Sequence, residues 1–226
     1  MGKATILLIC LTLAAGSGIY LVTNSNRSVA QSDQNAPVIG SFRHYDELRD
    51  GDLIFQISRS SQSKAIQLAT KSKYSHCGIV YKRGSRFYVF EAVQPVKQTP
   101  LEVWIARGQG KHYVVKRLKN ADRVLTPEVL TDMKSAGKAL LGKDYDSTFE
   151  WSDDKIYCSE LIWKIYQRAT GLEIGKLEKL GGFDLSDGLV KKKMKERYGS
   201  TIPVDETVIS PAAIFDSELL KTVLSK

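Results

Sequence analysis

The sequence predicts an α+β fold in which a small antiparallel sheet packs against helices. Three observations predict it. A strand, a helix, a hairpin and a further strand are followed by two amphipathic helices; the hairpin signal is of good quality; and no internal repeat is visible along the 226 residues. A content of 42% hydrophobic and 26% charged residues fits one globular core, and excludes disorder, collagen-like repeats and a polytopic membrane protein.

In chain order, residues 1–30 stand apart as a targeting segment. Lys3 supplies a short positive region, residues 4–15 an apolar run, and Ser28-Val29-Ala30 a small-x-small site. Ile19-Tyr20-Leu21-Val22 extends the apolar run toward a bilayer-spanning length, so a cleaved signal peptide and an uncleaved anchor are both open. Either places the rest of the chain outside the cytoplasm, in the periplasm or cell envelope. Residues 31–40 are polar and predict a linker, with one domain over 41–226. Removing residues 1–30 takes away Lys3 and Arg27 and no acid, so the net charge drops from +8 to +6.

Asp50-Gly51-Asp52 is a turn signal leading into the apolar run Leu53-Ile54-Phe55-Gln56-Ile57, which predicts a buried strand. Residues 58–63 offer N-caps for a helix through Ala65, Ile66, Leu68 and Ala69. Gly78-Ile79-Val80-Tyr81 and Arg86-Phe87-Tyr88-Val89-Phe90, joined around Arg83-Gly84-Ser85, predict the hairpin. Tyr113-Val114-Val115 predicts another strand. Thr126-Pro127 is an N-cap followed by an N1 proline, opening a helix that Gly142 stops. From Cys158, Leu161, Ile162, Ile165, Tyr166 and Ala169 trace one helical stripe ended by Gly171. Ser210-Pro211 predicts a short terminal helix through Ile214 and Leu219. The run Lys191-Lys192-Lys193-Met194-Lys195-Glu196-Arg197 is either a solvated helix face or a surface for a membrane or cell-wall polymer. Nucleic acid is not an expected partner, because no stacking or recognition motif accompanies the charge.

Candidate chemistry begins at Tyr157-Cys158-Ser159-Glu160. A thiol in the first turn of a helix feels unpaired N–H groups and the positive end of the dipole, which favour the thiolate. The alternative is a small buried hydrophobe. A thiolate attacking an acyl group needs an imidazole partner, and of three histidines only His76 opens a strand where a polar side chain can face a cleft. No local spacing of the histidines suggests a metal site, and neither metal nor cofactor is expected. A two-residue loop at Arg83-Gly84 places His76 opposite Glu91, whose carboxylate would orient the ring; a three-residue loop places Ala92 there and turns Glu91 away. Cys77, adjacent to His76, points to the other side of the strand. A disulfide between Cys77 and Cys158 is the competing fate for both thiols in an exported chain.

These residues resemble a known family. Gly51-Asp52-Leu53-Ile54-Phe55 and Ser75-His76-Cys77-Gly78-Ile79-Val80 look like the GDLxF and HxGIx blocks of NlpC-type papain-like cysteine peptidases, and Tyr157-Cys158-Ser159-Glu160-Leu161 resembles their nucleophile helix. His76 precedes Cys158 here, so the chain is similar to the circularly permuted branch, the YiiX/YebB-like permuted papain-like amidases, with lecithin retinol acyltransferase as a more distant relative. The resemblance implies a circularly permuted papain-like fold and a Cys158, His76 and Glu91 site. Cys77 departs from the pattern, standing where an aliphatic residue is usual. The resemblance further implies hydrolysis of an amide of a peptide or amino acid, with lipid acyl hydrolysis or transfer as the alternative. The Cys158 backbone N–H, and Tyr157 by lining or by packing, are the candidates for an oxyanion hole. Tyr74, Trp151 and Trp163 fit either a substrate groove or a core. A non-catalytic cell-envelope binding module is the rival from another class.

Overall fold

The computed structural model describes residues 45–226. The targeting segment and linker expected over residues 1–40 therefore lie outside the described residues. No helix among the described residues is long and apolar enough to cross a membrane.

A six-stranded, wholly antiparallel sheet forms the frame. Its strands are β1 (Leu53–Ser58), β2 (His76–Arg83), β3 (Arg86–Glu91), β4 (Lys97–Pro100), β5 (Gly108–Leu118) and a last strand (Leu220–Ser225), in the order last-β5-β1-β2-β3-β4. Central β1 has Leu53, Ile54 and Phe55 fully buried, because both faces of the sheet are covered. On one face Leu53, Phe55, Cys77, Ile79 and Phe90 meet the two longest helices, α4 (Pro127–Leu140) and α5 (Cys158–Thr170). On the other, Ile54, Val80 and Val89 meet Trp104 of α2 (Leu101–Arg107). The period-2 alternation of strand side chains explains why neighbouring residues serve different layers.

The helices follow local rules. Thr126 accepts the Val129 N–H at 3.3 Å through its hydroxyl, capping α4 ahead of Pro127. Gly171 ends α5 with φ 72°, a left-handed position that favours glycine. Leu161, Ile162 and Ile165 form its apolar stripe and are fully buried, each contributing about 2 kcal/mol of burial. A smaller cluster joins α1 (Ser63–Thr70) to α6 (Gly188–Tyr198) through Ala65, Val190 and Met194, so of the lysine-rich run Lys191, Lys192 and Lys195 form the solvated face of a packed helix. Between the larger elements lie α3 (Ala121–Val124) and two short ladders. The parallel one pairs β6 (Asp144–Tyr145) with β7 (Lys155–Ile156), and the antiparallel one pairs β8 (Glu178–Lys179) with β9 (Thr207–Val208).

Two expectations are corrected, and one open alternative is resolved. The terminal helix, α7 (Pro211–Phe215), stops before Leu219, which lies just ahead of the last sheet strand, β10 (Leu220–Ser225). Of the two places open to them, Trp163 and Tyr74 take the core: Trp163 packs edge-on against Trp151, and Tyr74 against Phe55 and Phe215. The hairpin loop is Gly84-Ser85, since Arg83 faces Arg86 and Val80 faces Val89. Gly84 holds φ 58°, and a tight two-residue loop demands a positive φ at its first position, where a loop at Arg83-Gly84 would have placed an arginine.

Candidate active site

Four consecutive residues anchor the start of α5. Cys158 is its first residue, preceded by the extended Tyr157. The Tyr157 hydroxyl accepts the Ile209 N–H at 3.0 Å, and the Ser159 hydroxyl donates to the Ile209 carbonyl at 2.7 Å. Both ties hold the helix start against the segment leading to α7. The buried Glu160 carboxylate accepts the Tyr157 N–H at 3.4 Å and pairs with Lys164 at 2.7 Å. Burial raises the Glu160 carboxyl to about 7. Tyr157 is thus a buried brace whose hydroxyl is engaged with backbone.

His76 opens β2 directly across from Gln56 of β1, with its ring stacked on Trp104 at 5.8 Å. Its Nε2 lies 2.6 Å from Oε2 of Glu91, the last residue of β3. The corrected register puts Gly78, not His76, opposite Glu91. The shift is two residues, so Glu91 stays on the face of His76 and reaches it diagonally. Glycine at 78 is required by the crowding there, since a Cβ would come within 2.4 Å of Val89 Cγ1 and 2.8 Å of the Phe90 carbonyl oxygen.

The other Glu91 oxygen accepts Thr99 at 2.6 Å and a guanidinium N–H of Arg107. Burial alone would raise the Glu91 carboxyl; hydrogen bonds from His76 and Thr99 and the charge of Arg107 prevail and hold it below the usual range. With Nε2 engaged, Nδ1 is the ring nitrogen left for the Cys158 thiol, and the two groups bear on each other's ionisation. Burial opposes charging of the ring, yet the Cys158 and Glu91 interactions raise His76 to about 9. A hydrogen bond from Cys77 and the pairing with His76 hold the Cys158 thiol well below its ordinary value, against the effect of burial. Both cysteines are free thiols. The three predicted site residues Cys158, His76 and Glu91 therefore meet in one interacting group, Cys158 with His76 and His76 with Glu91.

Two recesses flank this group. Cys158 lines an apolar recess with Ala65, Ile66, Phe149, Leu180, Val190 and Met194, while Lys193 and Arg197 of α6 add charge. His76 lines a wider cleft among the polar residues Gln56, Ser58, Arg59, Gln94 and Arg107. Tyr145 borders both, its hydroxyl accepting Gln62 Nε2 at 2.8 Å.

Residues 47–224 match the family model of the permuted papain-like amidases of the YaeF/YiiX type, the C92 family. The chain belongs to this family. Its kind of function is that of a cysteine hydrolase, and its fold is the circularly permuted papain-like one. The chain is 54% identical to the uncharacterized protein YiiX of Escherichia coli K12 over 173 residues, 76% of this chain and 84% of that protein. It is also similar to the crystal structure described as metalloprotein YiiX from Escherichia coli O157:H7. There the TM-score is 0.76 and the identity 53%, covering 80% of this chain and 98% of that one. Among the described residues no group of three His, Cys, Asp or Glu side chains is placed to hold a metal ion, so no step is derived through one.

Thr99, Arg107, Gln56 and Tyr145 were not singled out from the sequence. Tyr145 lies three residues past the Gly142 that stops the preceding helix, in a segment without periodicity.

Proposed function

We propose that the chain is a thiol hydrolase that cleaves an amide through an acyl-thioester on Cys158. The interaction of Cys158 with His76, and the hydrogen bond between His76 and Glu91, carry this reading. The thiolate attacks the carbonyl carbon, and the developing oxyanion is met by the Cys158 N–H at the start of α5. As the C–N bond breaks, the His76 imidazolium gives its proton to the departing amine. Neutral His76 then takes a proton from water, whose oxygen attacks the thioester carbon, releasing the acid and restoring the thiolate and imidazolium. Glu91 keeps the ring oriented and stabilises its charge.

The apolar recess at Cys158 supports an apolar acyl group on the substrate, and it favours one second reading, acyl-lipid ester hydrolysis or transfer. The targeting segment supports export, and the basic run of α6 supports contact with an anionic envelope surface. The test is to trap the intermediate with an activated acyl ester and map it by mass spectrometry. An acyl adduct on the Cys158 peptide that is absent in Cys158→Ala is the expected result; unchanged turnover by Cys158→Ala would sink the mechanism. The ratio of kcat/KM for an amide and an ester of the same acyl chain separates the two readings.

A further inference from the structure

The proposed mechanism assigns the two recesses to two halves of a substrate. The acyl group stays bonded to Cys158 until water releases it, so it occupies the apolar recess that Cys158 lines. The amine departs with the proton that His76 donates, so it leaves by the cleft that His76 lines. The chemistry of that cleft therefore describes the leaving group.

Three features of the cleft point the same way. Among the described residues, none of those lining it is acidic, while Arg59 and Arg107 both do so. Arg59 is exposed and has no ion-pair or hydrogen-bond partner among the described residues. The Arg107 side chain is 40% exposed, and a single guanidinium nitrogen is bonded to Glu91.

We propose that the cleft is a leaving-group site for an amine that carries an anion, with Arg59 and Arg107 pairing with the anionic group. The substrate class is then an N-acylated amine with an apolar acyl chain and a carboxylate or phosphate on the amine side. This rests on the thiol hydrolase reading, which supplies the assignment of the two halves.

The test uses Cys158→Ala, checked by circular dichroism for native folding, and three ligands that share one chain: N-lauroylglycine, N-lauroyl-O-phosphoethanolamine and neutral N-lauroylethanolamine. Calorimetry is expected to show at least one anionic ligand binding about tenfold or more tightly than the neutral one. Arg59→Gln in the same background is expected to remove most of that preference and leave neutral-ligand affinity in place. Which anion wins identifies an amino-acid or a phosphoamine leaving group. Equal affinity for all three, binding of none, or a preference that survives the combined Arg59→Gln and Arg107→Gln changes overturns the proposal. Hydrolysis of p-nitrophenyl laurate by the wild type, which offers the cleft no carboxylate or phosphate arm, reports on the thiol hydrolase separately: Cys158-dependent turnover with no anion preference keeps the hydrolase and rejects this site.

Discussion

Cys77 and Cys158 are both buried, both free and packed in the same core cluster, yet their thiols are driven in opposite directions. Burial and the neighbouring Cys158 push Cys77 well above its ordinary value, whereas Cys158 is held well below it. Cys77 sits on a strand, on the face away from His76, with no dipole to favour charge. Cys158 sits at a helix start, beside an imidazole that a buried carboxylate keeps protonated. The difference teaches that position and partner, rather than burial, separate a nucleophile from a packing thiol.

The largest expected effect is the one that would break this comparison outright. Cys158→Ala should leave no hydrolysis above background, while Cys77→Ala should retain it, measured on the same acyl ester. Next, His76→Ala should lower kcat/KM by about 10³-fold and return the Cys158 thiol toward about 8.5 in a labelling titration. A Cys158 that stays easily ionised without His76 would assign its activation to the helix and Cys77 alone.

Glu91→Gln should lower kcat/KM by about 10²-fold. Activity needs the charged ring, so the wild-type profile falls as pH rises through about 9, the His76 value. Loss of the Glu91 anion disfavours the imidazolium, so that alkaline limb should move to lower pH. A limb that does not move would remove Glu91 from the account. Gly78→Ala should lower stability by about 1–3 kcal/mol, read by denaturant melting, because its Cβ has no room between Val89 and Phe90.

The parts of this comparison legible in the sequence are those set by local rules. The helix behind Cys158, its Gly171 stop and the Thr126-Pro127 start follow from capping and an apolar stripe. Hairpin parity was open between a two- and a three-residue loop; the structure takes a two-residue loop, so a register two residues off still left Glu91 on the His76 face. Thr99 and Arg107 were not legible, because the elements carrying them leave weak patterns. Strand β4 has one buried residue of four and ends in proline, and α2 is seven residues long, too short to show a period. The edge strand β10 is mostly exposed and so lacks the alternation of a buried strand. Gln56 looked like one more residue of an apolar run, and only its pairing with His76 places it at the cleft.

The most direct test of the central claim is iodoacetamide labelling of the two thiols across pH, resolved by peptide mass spectrometry. The account predicts fast labelling at Cys158 with an apparent pKa well below the roughly 8.5 of a free thiol, dependent on His76, and slow labelling at Cys77 throughout. Equal rates at both thiols, or a Cys158 that labels only near pH 8.5 and above, would contradict it.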